Sequence, residues 1–137
     1  MQGLKNQTKI KLAPVFGTDH DLGLSLIFYV ENGEKARAAA EALTAEGIQA
    51  FQVYDGVSND QHIYINWEFL VNKADPWGGH YPWSLTPEAE IVYDENTCPR
   101  TLELLNRAVQ VHLNQMVTDE DIEDLLQAVD KVAAHLL

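Results

Sequence analysis

Seven rings, those of Tyr54, Tyr64, Trp67, Phe69, Trp77, Tyr81 and Trp83, fall within thirty residues and are interleaved with His62, Asn66 and His80. Aromatic faces beside amide and imidazole groups suit a polar ligand with apolar faces, such as a sugar. Taken alone, the rings are better read as packing a long loop onto the domain that carries it. The candidate substrate contacts are Tyr54, His62, Tyr64, Asn66, Trp67, His80 and Trp83. If this segment catalyses, His62 and His80 are its acid/base groups, because imidazole titrates near neutrality.

Other chemistry fails on spacing. Gly78-Gly79 is too short to cradle a phosphate, and no glycine-rich fingerprint follows a strand. The five histidines show no metal-ligand spacing, so no metal is expected. Cys98, the only cysteine, stands at an expected helix start with no histidine nearby in sequence, which suits a capping or buried role better than a nucleophile. The run Asp119-Glu120-Asp121 matches the positive end of a helix dipole and needs no cation to explain it.

The chain has 137 residues, enough for one domain with a single core, and residues 1–137 are read as one domain. Its formal charge of −12 repels phosphate backbones, which argues against nucleic acid or an anionic membrane surface as partner. No apolar run approaches the ~20 residues that span a bilayer. Met1 to Lys5 lacks the apolar stretch of a signal peptide, and a lone cysteine excludes an intrachain disulfide. A reducing cytoplasm fits these features best.

The elements that must position the aromatic segment read as follows. Thr8 to Leu12 alternates and ends at Pro14, which predicts a short edge strand. Phe16 to Asp21 is expected to be a loop. Leu24 to Val30 is apolar on both faces, predicting a central strand covered on each side. Asn32-Gly33 opens a helix whose Ala36, Ala39, Ala40 and Leu43 form one stripe, with Gly47 as its C-terminal cap. Ile48 to Tyr54 is the next strand and completes a β-α-β unit. Residues 55–94 are irregular apart from a short helix expected over 66–72. Pro99 starts a further helix with Leu102, Leu105 and Ala108 facing inward, and Val109 to Leu113 is a strand. Thr118 caps a last helix to about Leu136, with Asp121 in the capping-box position. Its apolar stripe is Ile122, Leu125, Leu126, Val129, Val132, Ala133 and Leu136. The expected fold is α/β (α+β): a three- or four-stranded mixed sheet with a split β-α-β unit and packed helices.

This order of elements, with the tail Cys98-Pro99-Arg100-Thr101-Leu102, Arg107-Ala108-Val109 and Val117-Thr118-Asp119-Glu120-Asp121-Ile122, resembles the C-terminal small domain of DegT-type sugar aminotransferases. The resemblance runs from about Lys9 to Leu137. His62-Ile63-Tyr64-Ile65-Asn66-Trp67-Glu68 is similar to the branch acting on amino-octulosonates and related keto sugars. Two departures stand out: Val53-Tyr54 replaces the family's His-Tyr, and Gln115 replaces a proline before the last helix.

The family is pyridoxal-phosphate dependent, and its Schiff-base lysine and phosphate cradle belong to a large domain. Lys5, Lys9, Lys11, Lys35, Lys73 and Lys131 do not lie in segments like that lysine's. The resemblance therefore implies a free-standing or excised small domain, not catalytic alone, with pyridoxal phosphate bound only if a large domain is supplied. It also implies a sugar or nucleotide-sugar ligand. Because such a domain exposes apolar surface, it implies a homo-oligomer or a large aminotransferase domain as partner. The competing expectation is a structural or interaction protein, an enzyme remnant without a ligand.

Overall fold

The computed structural model describes residue 4 and residues 8–17, 23–86 and 91–137. The strands are β1 (Lys11–Leu12), β2 (Ser25–Tyr29), β3 (Ala50–Gln52) and β4 (Ala108–His112). The helices are α1 (Gly33–Ala45), α2 (Glu68–Val71), α3 (Pro99–Asn106) and α4 (Asp119–Leu136), with single 3-10 turns over Tyr64–Asn66 and Trp83–Leu85. The loop expected over 16–21 lies largely outside the described residues.

Helix α1 starts where Asn32 accepts a hydrogen bond from the Lys35 amide at 3.0 Å. It ends at Gly47, whose φ of 89° is the left-handed conformation that glycine adopts without strain. Helix α4 has a complete capping box: Asp121 N–H donates to Thr118 Oγ1 at 3.2 Å, and Thr118 N–H donates to Asp121 Oδ2 at 2.7 Å. The Thr118 amide bond, with a second donated to Oδ2 by the Thr118 hydroxyl at 2.7 Å, holds the Asp121 carboxyl below its ordinary range. Lys131 bonds Glu46 at 2.6 Å, and Lys35 reaches the Leu137 carbonyl at 3.0 Å, so α1 and α4 are also tied at their edges.

The strands run in the order β1-β2-β4-β3, and every neighbouring pair is antiparallel. This corrects the mixed pairing expected from sequence. β2 and β3 do run parallel as the two strands of the β-α-β unit, but β4 enters between them, antiparallel to both. The unit is split in the sense expected.

A second correction concerns the cover of β2. Leu26 and Phe28 are buried against the helices with Val109 and Val111 of β4, Ala36, Ala39, Ala40 and Leu43 of α1, and Leu125, Ala128, Val129 and Val132 of α4. The alternate residues Ser25, Ile27 and Tyr29 are only half-buried. Both described helices of the core thus lie on one face. The stripe of α4 is narrower than its sequence suggests, because Ile122 is half-buried, Leu136 is exposed and Ala128 joins the core instead. Ala108 is buried as the first residue of β4 and does not belong to α3.

Candidate functional site

The segment between β3 and α3 is held by polar side chains bonding to nearby backbone, since it has little regular structure to satisfy its own amides. Asp55 Oδ1 accepts from the Val57 and Ser58 amides at 2.9 and 2.7 Å. Asp60 Oδ1 accepts from the His62 amide and from His62 Nδ1, both at 2.8 Å. Asn66 Nδ2 donates to the Ser58 and Asp60 carbonyls, and Trp67 Nε1 donates to the Gln61 carbonyl at 2.7 Å. Tyr64 closes the segment: its hydroxyl donates to the Asp94 carbonyl at 3.0 Å and accepts from the Cys98 amide at 3.1 Å.

Three rings then form a continuous series. Trp67 stacks on Phe69 with centroids 5.8 Å apart, and Phe69 meets Trp83 at 6.4 Å in a tilted contact. Phe69 is half exposed, so the series presents aromatic surface to solvent. Beside it runs a second built turn. Asp75 Oδ1 accepts from the Trp77 amide at 2.8 Å and the Gly79 amide at 3.0 Å, and Oδ2 lies 3.4 Å from the Tyr81 amide. The Gly79 bond, followed by that of Trp77, holds the Asp75 carboxyl below its ordinary range. The turn carries Trp77 into solvent, where 91% of it is exposed. His80 donates from Nδ1 to the Lys73 carbonyl at 2.9 Å.

Of the residues expected from sequence, the structure joins Trp67 and Trp83, with Phe69 as the ring between them. Tyr64 is a tie to the start of α3. Asn66 and the indole N–H of Trp67 are committed to their own loop. His62 points into solvent beside Asp60, and its side chain is 96% exposed. Tyr54 stands apart, its carbonyl accepting from Asn106 Nδ2 at 3.0 Å.

That last bond marks a feature the sequence reading missed. Gln52 Nε2 donates to the Gly33 and Asn106 carbonyls, joining β3, α1 and the end of α3. Beside this junction is an open cleft of about 650 Å³ lined by Asn32, Gly33, Arg37, Gln52, Asp55 and Asn106. No local pattern announces it, because its residues come from three separated elements. Asp75 had a readable signal, an aspartate opening a turn that contains Gly78-Gly79.

No family model and no curated protein matches the sequence. Among solved structures the chain is similar to one described as "Putative sugar aminotransferase Spr1654 from Streptococcus pneumoniae, PMP-form". The TM-score is 0.59 at 13% identity, over 99% of this chain and 28% of that one. The likeness is one of fold. The chain thus has an aminotransferase-like architecture and spans under a third of that protein's length.

The chain's own residues can be tested against a pyridoxal-type cofactor. An imine needs a neutral amine, which is favoured by desolvation or a neighbouring cation. Lys131 lines a cleft of about 470 Å³ but bonds Glu46 with Asp124 alongside, and Lys35 bonds Glu31 at 2.7 Å. Both side-chain nitrogens are thus held by carboxylates rather than presented to a cofactor's aldehyde. Among the described residues no group of three or more His, Cys, Asp or Glu could hold a metal ion, and no helix is long and apolar enough to cross a membrane.

Proposed function

We propose that this chain is the C-terminal small-domain portion of a DegT-type sugar aminotransferase. In this reading residues 1–137 are one domain, and the segment between β3 and α3 supplies substrate-side contacts. Catalysis waits on a cofactor-bearing large domain. The observation that carries the reading is the fold match, in which nearly the whole chain corresponds to little more than a quarter of a sugar aminotransferase. The Trp67-Phe69-Trp83 series supports a ligand with apolar faces, for which the proposed class is a keto sugar or nucleotide sugar. The ion pairs of Lys35 with Glu31 and of Lys131 with Glu46 support a non-catalytic role for this portion alone. One observation favours the alternative of a structural or interaction protein: the polar atoms of Tyr64, Asn66 and Trp67 are already bonded within the segment.

A thermal-shift series with keto sugars and nucleotide sugars separates the two. The proposal expects a stabilising ligand whose effect is lost in Trp83→Ala, while the variant keeps the unliganded melting temperature within a few degrees. Absence of any shift across both classes, or a shift that survives in Trp83→Ala, supports the structural reading. Mixing the chain with pyridoxal phosphate should give no imine absorbance; an imine that is trapped by borohydride would overturn the non-catalytic assignment.

A further inference from the structure

The two edges of the sheet are built differently. The β1 edge carries Lys9 and Lys11 and ends at Pro14, residues that discourage a further strand from pairing. The β3 edge has none of these. It lies in the uncharged run Ile48-Gln49-Ala50-Phe51-Gln52-Val53-Tyr54, rich in strand-forming residues.

The hydrogen-bond parity of β3 shows which groups face outward. Gln49 O accepts from His112 N–H at 3.3 Å, Val53 N–H donates to Ala108 O at 3.0 Å, and Phe51 lies opposite Gln110. Odd-numbered residues therefore face β4, and the amides and carbonyls of Ala50 and Gln52 face away from the sheet. Thr44 Oγ1 confirms this orientation, since it reaches the Ala50 carbonyl from α1 at 3.3 Å and leaves that oxygen its second lone pair. Alongside this edge lies a cleft of about 460 Å³, bordered by Arg37, Glu41 and Thr44 of α1 and by Ala50 to Gln52.

We propose that the β3 edge pairs with the β3 edge of a second copy of this chain, antiparallel about a two-fold axis at Phe51. This inference rests on the edge alone and is independent of the functional reading above. The segment is self-complementary in that register. Ala50 opposite the partner's Gln52, and the reverse, forms four backbone hydrogen bonds from the groups that face outward. Phe51 then meets its own copy across the axis as the closely spaced, non-hydrogen-bonded pair. Its side chain lies on the sheet face away from the helices, where it already contacts His112 at 5.0 Å. The result is one eight-stranded sheet in the order β1-β2-β4-β3-β3-β4-β2-β1.

The test combines mass and amide exchange on the 137-residue chain. Light scattering across a dilution series should show a species of twice 15.4 kDa, about 31 kDa, at high concentration. The amides of Ala50 and Gln52 should become protected as it forms. Ala50→Pro removes an outward N–H without touching a bond to β4, so it should stay folded by circular dichroism and remain monomeric. A chain that is monomeric throughout, a dimer whose Ala50 and Gln52 amides exchange freely, or a folded Ala50→Pro that still dimerises each overturns the proposal. Should Ala50→Pro fail to fold, the exchange of the two amides in the unaltered chain decides.

Discussion

Gly33 is the first residue of α1, and the side chain of Asn106 lies against its Cα. A Cβ at Gly33 would overlap Asn106 Oδ1 and sit only 2.7 Å from Cγ and 2.9 Å from Nδ2. Asn106 cannot simply swing away, because its Nδ2 holds the Tyr54 carbonyl. Gly33→Ala therefore incurs an overpacking cost of roughly 2 kcal/mol. It adds about 1 kcal/mol for the displaced hydrogen bond, and up to about 1 kcal/mol returns as helix propensity. The expected net destabilisation is about 2 kcal/mol.

Asn106→Ala alone should cost about 1 kcal/mol, the bond to Tyr54. In that background the obstacle is gone, so adding Gly33→Ala should be neutral or slightly stabilising. The double-mutant cycle then shows a coupling of roughly 2–3 kcal/mol. Urea unfolding followed by circular dichroism at one fixed protein concentration measures all four corners. Additive effects, or a neutral Gly33→Ala in the unaltered background, would refute the close-approach argument.

Two other perturbations test the core and the aromatic segment. Phe28, 1% exposed between the sheet and both helices, should cost about 3–5 kcal/mol on change to alanine, whereas Ile27→Ala on the open face of the same strand should cost distinctly less; equal costs in urea unfolding would contradict the one-sided core. The Asp75 turn should be acid-labile: its carboxyl is held below 3.8 by the Gly79 and Trp77 amides, so its contribution is present above pH 3.8 and lost as the pH falls through the lower folded value. In a Trp67→Phe/Trp83→Phe background, Trp77 fluorescence should change in that window and the change should vanish in Asp75→Asn; persistence in Asp75→Asn would assign it elsewhere.

Much of the scaffold was legible because its signals are local. The alanine stripe and Asn32-Gly33 start marked α1, and Thr118 with Asp121 marked α4 to within a residue. Alternation marked β4, displaced by one residue because Ala108 is apolar whether it ends a helix or starts a strand. Strand order was not legible: nothing in the period of Ala108 to His112 says that it inserts between β2 and β3. The apolar character of both faces of β2 misled for a related reason, since Ile27 and Tyr29 occupy an open face that propensity alone does not distinguish from a covered one. In the candidate site, sequence located the rings but not their company. It grouped His62 and Tyr54 with Trp67 and Trp83, yet proximity along an irregular segment does not fix proximity in space. The Asn106-to-Tyr54 tie, spanning 52 residues, had no local signature at all.

The Tyr64 hydroxyl and the Asn106 amide have a joint consequence. The Asn106 amide fastens the Tyr54 end of the segment to the end of α3, and the Tyr64 hydroxyl ties the segment back on itself at Cys98, where the same helix begins. Among the described residues the buried cluster between sheet and helices takes no member from that segment, whose buried Ile63 lies outside the cluster. It is a cassette mounted on a finished frame. Its rings can be exchanged, and its length altered at modest entropic cost, while β2, β4, α1 and α4 keep their packing. A frame of this kind lets one insert be replaced without renegotiating the fold that carries it.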